Sequence, residues 1–185
     1  RSLASVPARP GPIPVRVFPA ERKRIMDYGP VIEAMNECLK HEWTGVAQYA
    51  QNSFIQEGPW REVYAEKFLG DAKESFGHAQ LVGDKIVALG GVPVATRNEI
   101  RQSKDLMEVL QYSCEFEAKA VEMYTKALEL AEGDRALVVF LEDILVQEQE
   151  GVDAGNDLVL ENFGVIDVGD EGVQAVLRAQ IYNDG

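Results

Sequence analysis

Residues 42–49, Glu42-Trp-Thr-Gly-Val46-Ala-Gln-Tyr49, and residues 117–124, Glu117-Ala-Lys-Ala-Val121-Glu-Met-Tyr124, share the pattern E-x-x-x-V-x-x-Y. Steps of four and then three bring Glu, Val and Tyr onto one side of an α-helix. Around the first copy, apolar or small residues recur at Ile32, Met35, Leu39, Val46, Tyr49 and Ser53; around the second, at Leu110, Val121, Tyr124 and Leu128. Both glutamates therefore sit on stripes that otherwise face a core. Most helical glutamates are solvated, so one such residue means little. The repetition is the signal.

Working outward, the punctuation gives four long helices. The first lies between Pro30 and Gly58. Pro59 suits the start of the second, which runs to Gly90 and Gly91 with Pro93 beyond as a stop. The third spans Asp105 to Ala131 and closes at Gly133; the fourth begins at the N-capping Asp134 and continues to about Phe163. A short fifth helix is expected over Glu171–Ile181. No β-alternation intervenes, and the connection from Gly90 to Lys104 is long enough to run the length of a bundle if it is extended. The expected fold is all-α: an antiparallel four-helix bundle with one long crossover and a short C-terminal fifth helix.

Two more polar residues interrupt these stripes. Glu148 follows Leu141 and Ile144 on the fourth helix, and His78 lies among Tyr64, Phe68, Ser75, Val82 and Ile86 on the second, with Glu74 about 40° round the helix from it. Several carboxylates pointing into one core must share protons or bind cations. Carboxylates from four helices with an imidazole form an oxygen and nitrogen donor set suited to iron or manganese.

Composition narrows the function. The 185 residues comprise 46% hydrophobic and 26% charged side chains, ordinary values for a folded domain, and no apolar run approaches a membrane span. With 31 acidic against 18 basic residues the formal charge is −13, which repels nucleic acid and anionic membranes and favours cations. Cys38 and Cys114 both fall in helical segments and read as buried thiols, not a disulfide. Residues 1–26 differ from 27–185. Five of the eight prolines and Arg1, Arg9 and Arg16 lie in the first twenty positions, and no acid precedes Glu21. This extension is non-helical, and reads either as a native extended arm, as the remnant of a plastid or mitochondrial transit peptide, or as a cloning remnant. Without such a peptide the expected location is cytoplasmic.

From Tyr28 to Gly185 the chain resembles the bacterioferritins. The resemblance rests on Glu42 with Gln48-Tyr49, His78-Ala79 followed by Ile86 and Leu89-Gly-Gly-Val-Pro93, Glu117 with Tyr124, Ile144-Leu145 leading to Glu148, and Leu177-Arg-Ala-Gln-Ile181. In that family one Glu from each of helices one and three, and Glu-x-x-His from each of helices two and four, hold two irons. The resemblance therefore implies a di-iron site among Glu42, Glu74, His78, Glu117 and Glu148, with Tyr49 as a redox-active or simply hydrogen-bonded neighbour. It also implies a homo-oligomeric cage, of 24 subunits by the family's habit.

The sequence departs from the family pattern twice. Three residues before His78 stands Ser75, with Glu74 one place early, and three residues after Glu148 stands Gly151, which has no side chain. A π-bulge between Glu74 and His78 would let their spacing of four behave as three. The family's haem-bridging Met follows the helix-two Glu, and that slot holds Phe76 or Ser75, so haem is not expected. Two functions follow. One is a ferroxidase that oxidises Fe(II) with O2 or H2O2 and stores Fe(III) mineral; the other is a catalytically degenerate structural subunit of a cage, alone or mixed with a competent partner. Another ferritin-like di-metal oxidase is a further alternative.

Overall fold

The computed structural model describes residues 26–163, with side chains given to residue 158. Four helices fill that span: α1 (Gly29–Ile55), α2 (Arg61–Ala88), α3 (Leu106–Leu130) and α4 (Arg135–Phe163). No strand occurs among the described residues. The expected fifth helix lies outside them, as does all of the N-terminal extension except Met26, which packs half-buried against the core.

Helix boundaries follow local chemistry. Asp105 caps α3, its carboxylate accepting from the backbone N–H of Glu108, and Asp134 caps α4 by accepting from Ala136 and Leu137. Gly90 and Gly133 end α2 and α3 with φ of +87° and +108°, a conformation that favours glycine. Pro59 falls in the turn before α2 and not within it; the helix starts two residues later.

The long connection is the feature that sets topology. Residues 91–104 run extended along α1, and α1 side chains bond their backbone in sequence. Asn36 holds Val92 and Val94, Trp43 donates to the Val94 carbonyl, Thr44 accepts from Asn98, and Gln48 both donates to and accepts from Arg101. The crossover thus travels in the direction of α1 and delivers α3 to the end where α1 finishes; there Lys104 pairs with Glu57. As a result α2 and α3 run one way, α1 and α4 the other.

The core divides into two apolar clusters. One gathers Met35, Leu39, Val82, Ile86, Tyr124, Leu141 and Ile144; the other gathers Tyr49, Tyr64, Phe68, Val109 and Leu110. Burying each large side chain contributes roughly 1.5–3 kcal/mol. The buried face of α1 includes Val31, Met35, Cys38, Leu39, Glu42, Gly45, Tyr49, Asn52 and Ser53; the expected Met35, Leu39, Tyr49 and Ser53 are among them, while Ile32 and Val46 are half-buried at its edges. A Cβ on Gly45 would lie 2.5 Å from Oγ of Ser75, so glycine there permits the close approach of α1 and α2.

Candidate metal centre

Between the two apolar clusters lies a layer of ionisable side chains. Glu42, His78 and Glu148 are 2%, 4% and 4% exposed, and one potential ligand atom from each falls within 4.8 Å of the others. Nδ1 of His78 is 2.7 Å from Oε1 of Glu148 and 3.9 Å from Oε2 of Glu42. Oε1 of Glu148 has no aligned hydrogen-bond donor in spite of that short approach. An orphaned buried carboxylate oxygen facing an imidazole and a second carboxylate is the donor arrangement a cation satisfies.

The imidazole is oriented from behind. Nε2 of His78 faces Oε1 of Gln147 at 3.3 Å, and Gln147 is itself turned by donating from Nε2 to the carbonyl of Asp143. Because the amide oxygen can only accept, the proton belongs on Nε2, which frees the Nδ1 lone pair as a ligand. Burial alone would lower this histidine's pKa, but Glu148 against Nδ1 outweighs it and the net shift is upward.

Each of the two glutamates on α1 and α3 is held by the tyrosine of the other helix. Tyr124 donates to Oε1 of Glu42 at 2.7 Å, and Tyr49 donates to Oε1 of Glu117. Seven residues separate Glu from Tyr in both copies of the repeat, and α1 and α3 are antiparallel, so aligning one Glu with one Tyr aligns the second pair as well. Burial, then the nearby Glu148, raises the pKa of Glu42, and the same two causes push Glu117 up to about 8. Both tyrosines are pushed well above their ordinary value by burial and by the carboxylate each one bonds.

Of the sequence candidates, Glu42, His78 and Glu148 form the tight group and Glu117 lies beside Glu148. Glu74 is exposed on the rim. Helix α2 is α-helical throughout, without the π-bulge that would have turned Glu74 inward; Ser75 takes the buried position. The second histidine, His41, leaves the site: its ring stacks on Phe116 at 3.7 Å and its Nε2 meets the Phe116 carbonyl at 3.0 Å. A cavity of about 230 Å³ adjoins the cluster, reached by Glu74, Glu117, Glu148, Gly151 and Cys114. Gln147 was not among the sequence candidates, since a Gln beside a Glu on a helix carries no distinguishing pattern.

A four-helix bundle with a buried carboxylate and histidine cluster at its centre defines the class of helical carboxylate proteins that handle metals. Residues 32–159 match the ferritin-like domain, and the chain belongs to that family, in its bacterioferritin branch. It is 27% identical over 126 residues to a bacterioferritin of Streptomyces coelicolor, covering 66% of this chain and 75% of the relative. Among solved structures it is similar to a ferritin-like, diiron-carboxylate protein of Bacillus anthracis, with a TM-score of 0.67 and 30% identity over 70% of this chain and 94% of that one. It is also similar to a dodecameric thioferritin, the bacterioferritin-related protein of Bacteroides fragilis, with a TM-score of 0.68 and 25% identity over 74% and 88%.

Proposed function

We propose that this chain is an iron storage and detoxification protein that takes up Fe(II) at Glu42, His78 and Glu148 and passes Fe(III) into the interior of a closed homo-oligomeric cage. The buried three-residue cluster with its orphaned Glu148 oxygen carries the reading. Each Fe(II) gives up one electron on becoming Fe(III), so two Fe(II) and two protons are consumed for each O2 reduced to H2O2 or each H2O2 reduced to water. The chain's own residues do the rest. Glu42 and Glu148 neutralise the cation, His78 adds a nitrogen donor held in register by Gln147, and Glu117 beside them can hold a proton or release it as the charge of the site changes. Tyr49 and Tyr124 keep the two outer carboxylates from turning away. Tyr49, through its bond to Glu117, is the proposed redox-active side chain.

Family membership and the dodecameric relative support the cage. Light scattering on the full chain should give a large closed assembly, and a monomer at micromolar concentration would count against storage. For the chemistry, aerobic Fe(II) oxidation by the wild type should exceed that by Glu42→Gln by at least tenfold. Equal rates would mean the cluster is not the oxidation site. The second reading, a degenerate subunit within a cage, is favoured by Gly151 and Ser75, where ligating side chains are missing; a wild type that assembles without oxidising iron would establish it.

A further inference from the structure

We infer that the bundle holds one metal ion per chain, at Glu42, His78 and Glu148, and not two. This rests on the metal-binding reading above and concerns the same layer. The donor atoms around His78 converge: Nδ1 of His78 lies 2.7 Å from Oε1 of Glu148 and 3.9 Å from Oε2 of Glu42, and Oε1 of Glu148 has no aligned hydrogen-bond donor.

On the α3 and α4 side nothing comparable assembles. Glu117 presents Oε1 to the Tyr49 hydroxyl, and its other oxygen is directed at the backbone of α4. A Cβ at Gly151 would lie 3.2 Å from that Oε2 and 3.5 Å from both Cγ and Cδ of Glu117. A side chain at 151 would therefore stand in close contact with Glu117, whose flexible carboxylate would have to give by a few tenths of an ångström. Ser75 is buried against Gly45, offering a hydroxyl where a bridging carboxylate would be needed, and Glu74 remains on the rim. A first-row divalent ion takes about four to six donors. One carboxylate oxygen from Glu117 and a share of Glu148 do not approach that number, and two divalent ions would set four positive charges against the buried Glu42 and Glu148 and the half-buried Glu117. The adjoining cavity gives the single ion open positions for water or a small exogenous ligand.

The test is a metal count on the full-length apo protein, titrated anaerobically with Co(II) and with Fe(II) by equilibrium dialysis with elemental analysis, and X-ray absorption on the loaded samples. The expected result is one tightly bound ion per chain, no metal–metal scattering, affinity weakened at least tenfold in Glu42→Gln, and a stoichiometry of one kept in Glu117→Gln. Two ions per chain with a metal–metal vector would overturn this inference and leave the iron function standing. No bound ion would overturn the metal reading altogether. The double variant Ser75→Glu/Gly151→His should raise the count to two. A folded double variant that stays at one would refute the claim that these two positions withhold the second ion; if it fails to fold, the wild-type and Glu117→Gln counts still decide.

Discussion

The apo protein should lose stability as pH rises from 5 to 8, and Glu117 should account for much of the loss. Its carboxyl is pushed up to about 8 in the folded chain by burial and by Glu148, against an ordinary value of 4.5. A carboxyl with a raised folded pKa binds more protons folded than unfolded between those two values. Its contribution is complete below about 4.5 and disappears as pH rises through 8. At about 1.4 kcal/mol per unit, the loss between pH 5 and 8 is about 3.5 kcal/mol for an isolated group, an upper bound because Glu117 also meets water in the cavity. At roughly 2–4 °C per kcal/mol for a chain of this size, Tm should fall on the order of 10 °C. Glu42 and His78 are raised as well and slope the same way, so the informative quantity is the difference from Glu117→Gln. Gln keeps the shape and can still accept from Tyr49, but it cannot ionise. Chelator-treated wild type and Glu117→Gln would be melted in parallel across this range, with reversible urea unfolding at the two ends. The variant should have the flatter profile and become the more stable protein at pH 8. Parallel profiles, or a wild type that gains stability toward pH 8, would refute the reasoning.

Gly45→Ala should destabilise by about 1–3 kcal/mol in urea, because its Cβ would lie 2.5 Å from Ser75 Oγ in a packed helix contact; Gly45→Ala combined with Ser75→Gly should recover most of that. Glu115→Gln, which breaks an exposed pair with Arg101, should alter stability by less than about 1 kcal/mol and leave iron oxidation unchanged, whereas Glu117→Gln two residues away should slow it. Gly151→Ala gains about 1 kcal/mol of helix propensity but brings a methyl group to 3.2 Å from Glu117 Oε2, so its net effect in urea should be within about 1 kcal/mol of zero. Asn36→Ala should raise amide exchange at Val94, whose N–H it accepts at 2.9 Å, before it alters global stability.

What the sequence revealed and what it withheld divide along physical lines. Glu42, Glu117, Glu148 and His78 were legible because each is a polar interruption of an apolar stripe, and periodicity detects that directly. On α1 the expected Met35, Leu39, Tyr49 and Ser53 are buried, but Cys38 and Gly45 on the same face carry little apolar signal and were not read, while Ile32 and Val46 at its edges carry a strong one. The choice between Glu74 and Ser75 required knowing whether α2 is regular between Tyr64 and His78, which composition does not encode. Neither did the sequence expose the role of Gly151, read as an absent ligand. Its consequence is steric and depends on a residue of another helix. The crossover was expected from its length alone, yet its path is dictated by Asn36, Trp43, Thr44 and Gln48, ordinary surface residues until a backbone lies across them.

The position of the ionisable layer bears on why it persists. Removing one partner from a buried charged group typically costs 3–5 kcal/mol, whereas replacing the whole set by packed apolar residues is often neutral or stabilising. With an apolar cluster on either side, a continuous core of Leu and Ile through positions 42, 78, 117 and 148 would be the more stable bundle. Stability does not explain why two tyrosines each donate a hydroxyl to a carboxylate on the other helix, or why a glutamine fixes one face of an imidazole. Such devices restrict which atoms face inward. Glu42 keeps Oε2, His78 keeps Nδ1 and Glu148 keeps Oε1 on the inner side, where Nδ1 lies 2.7 Å from Glu148 and 3.9 Å from Glu42. Arbitrary polar substitutions in a core would leave each group to find its own partner, and the reciprocal Glu and Tyr spacing on α1 and α3 would have no reason to match. The match is what holds these atoms toward a common centre when no cation is present, so binding there requires little rearrangement of the helices.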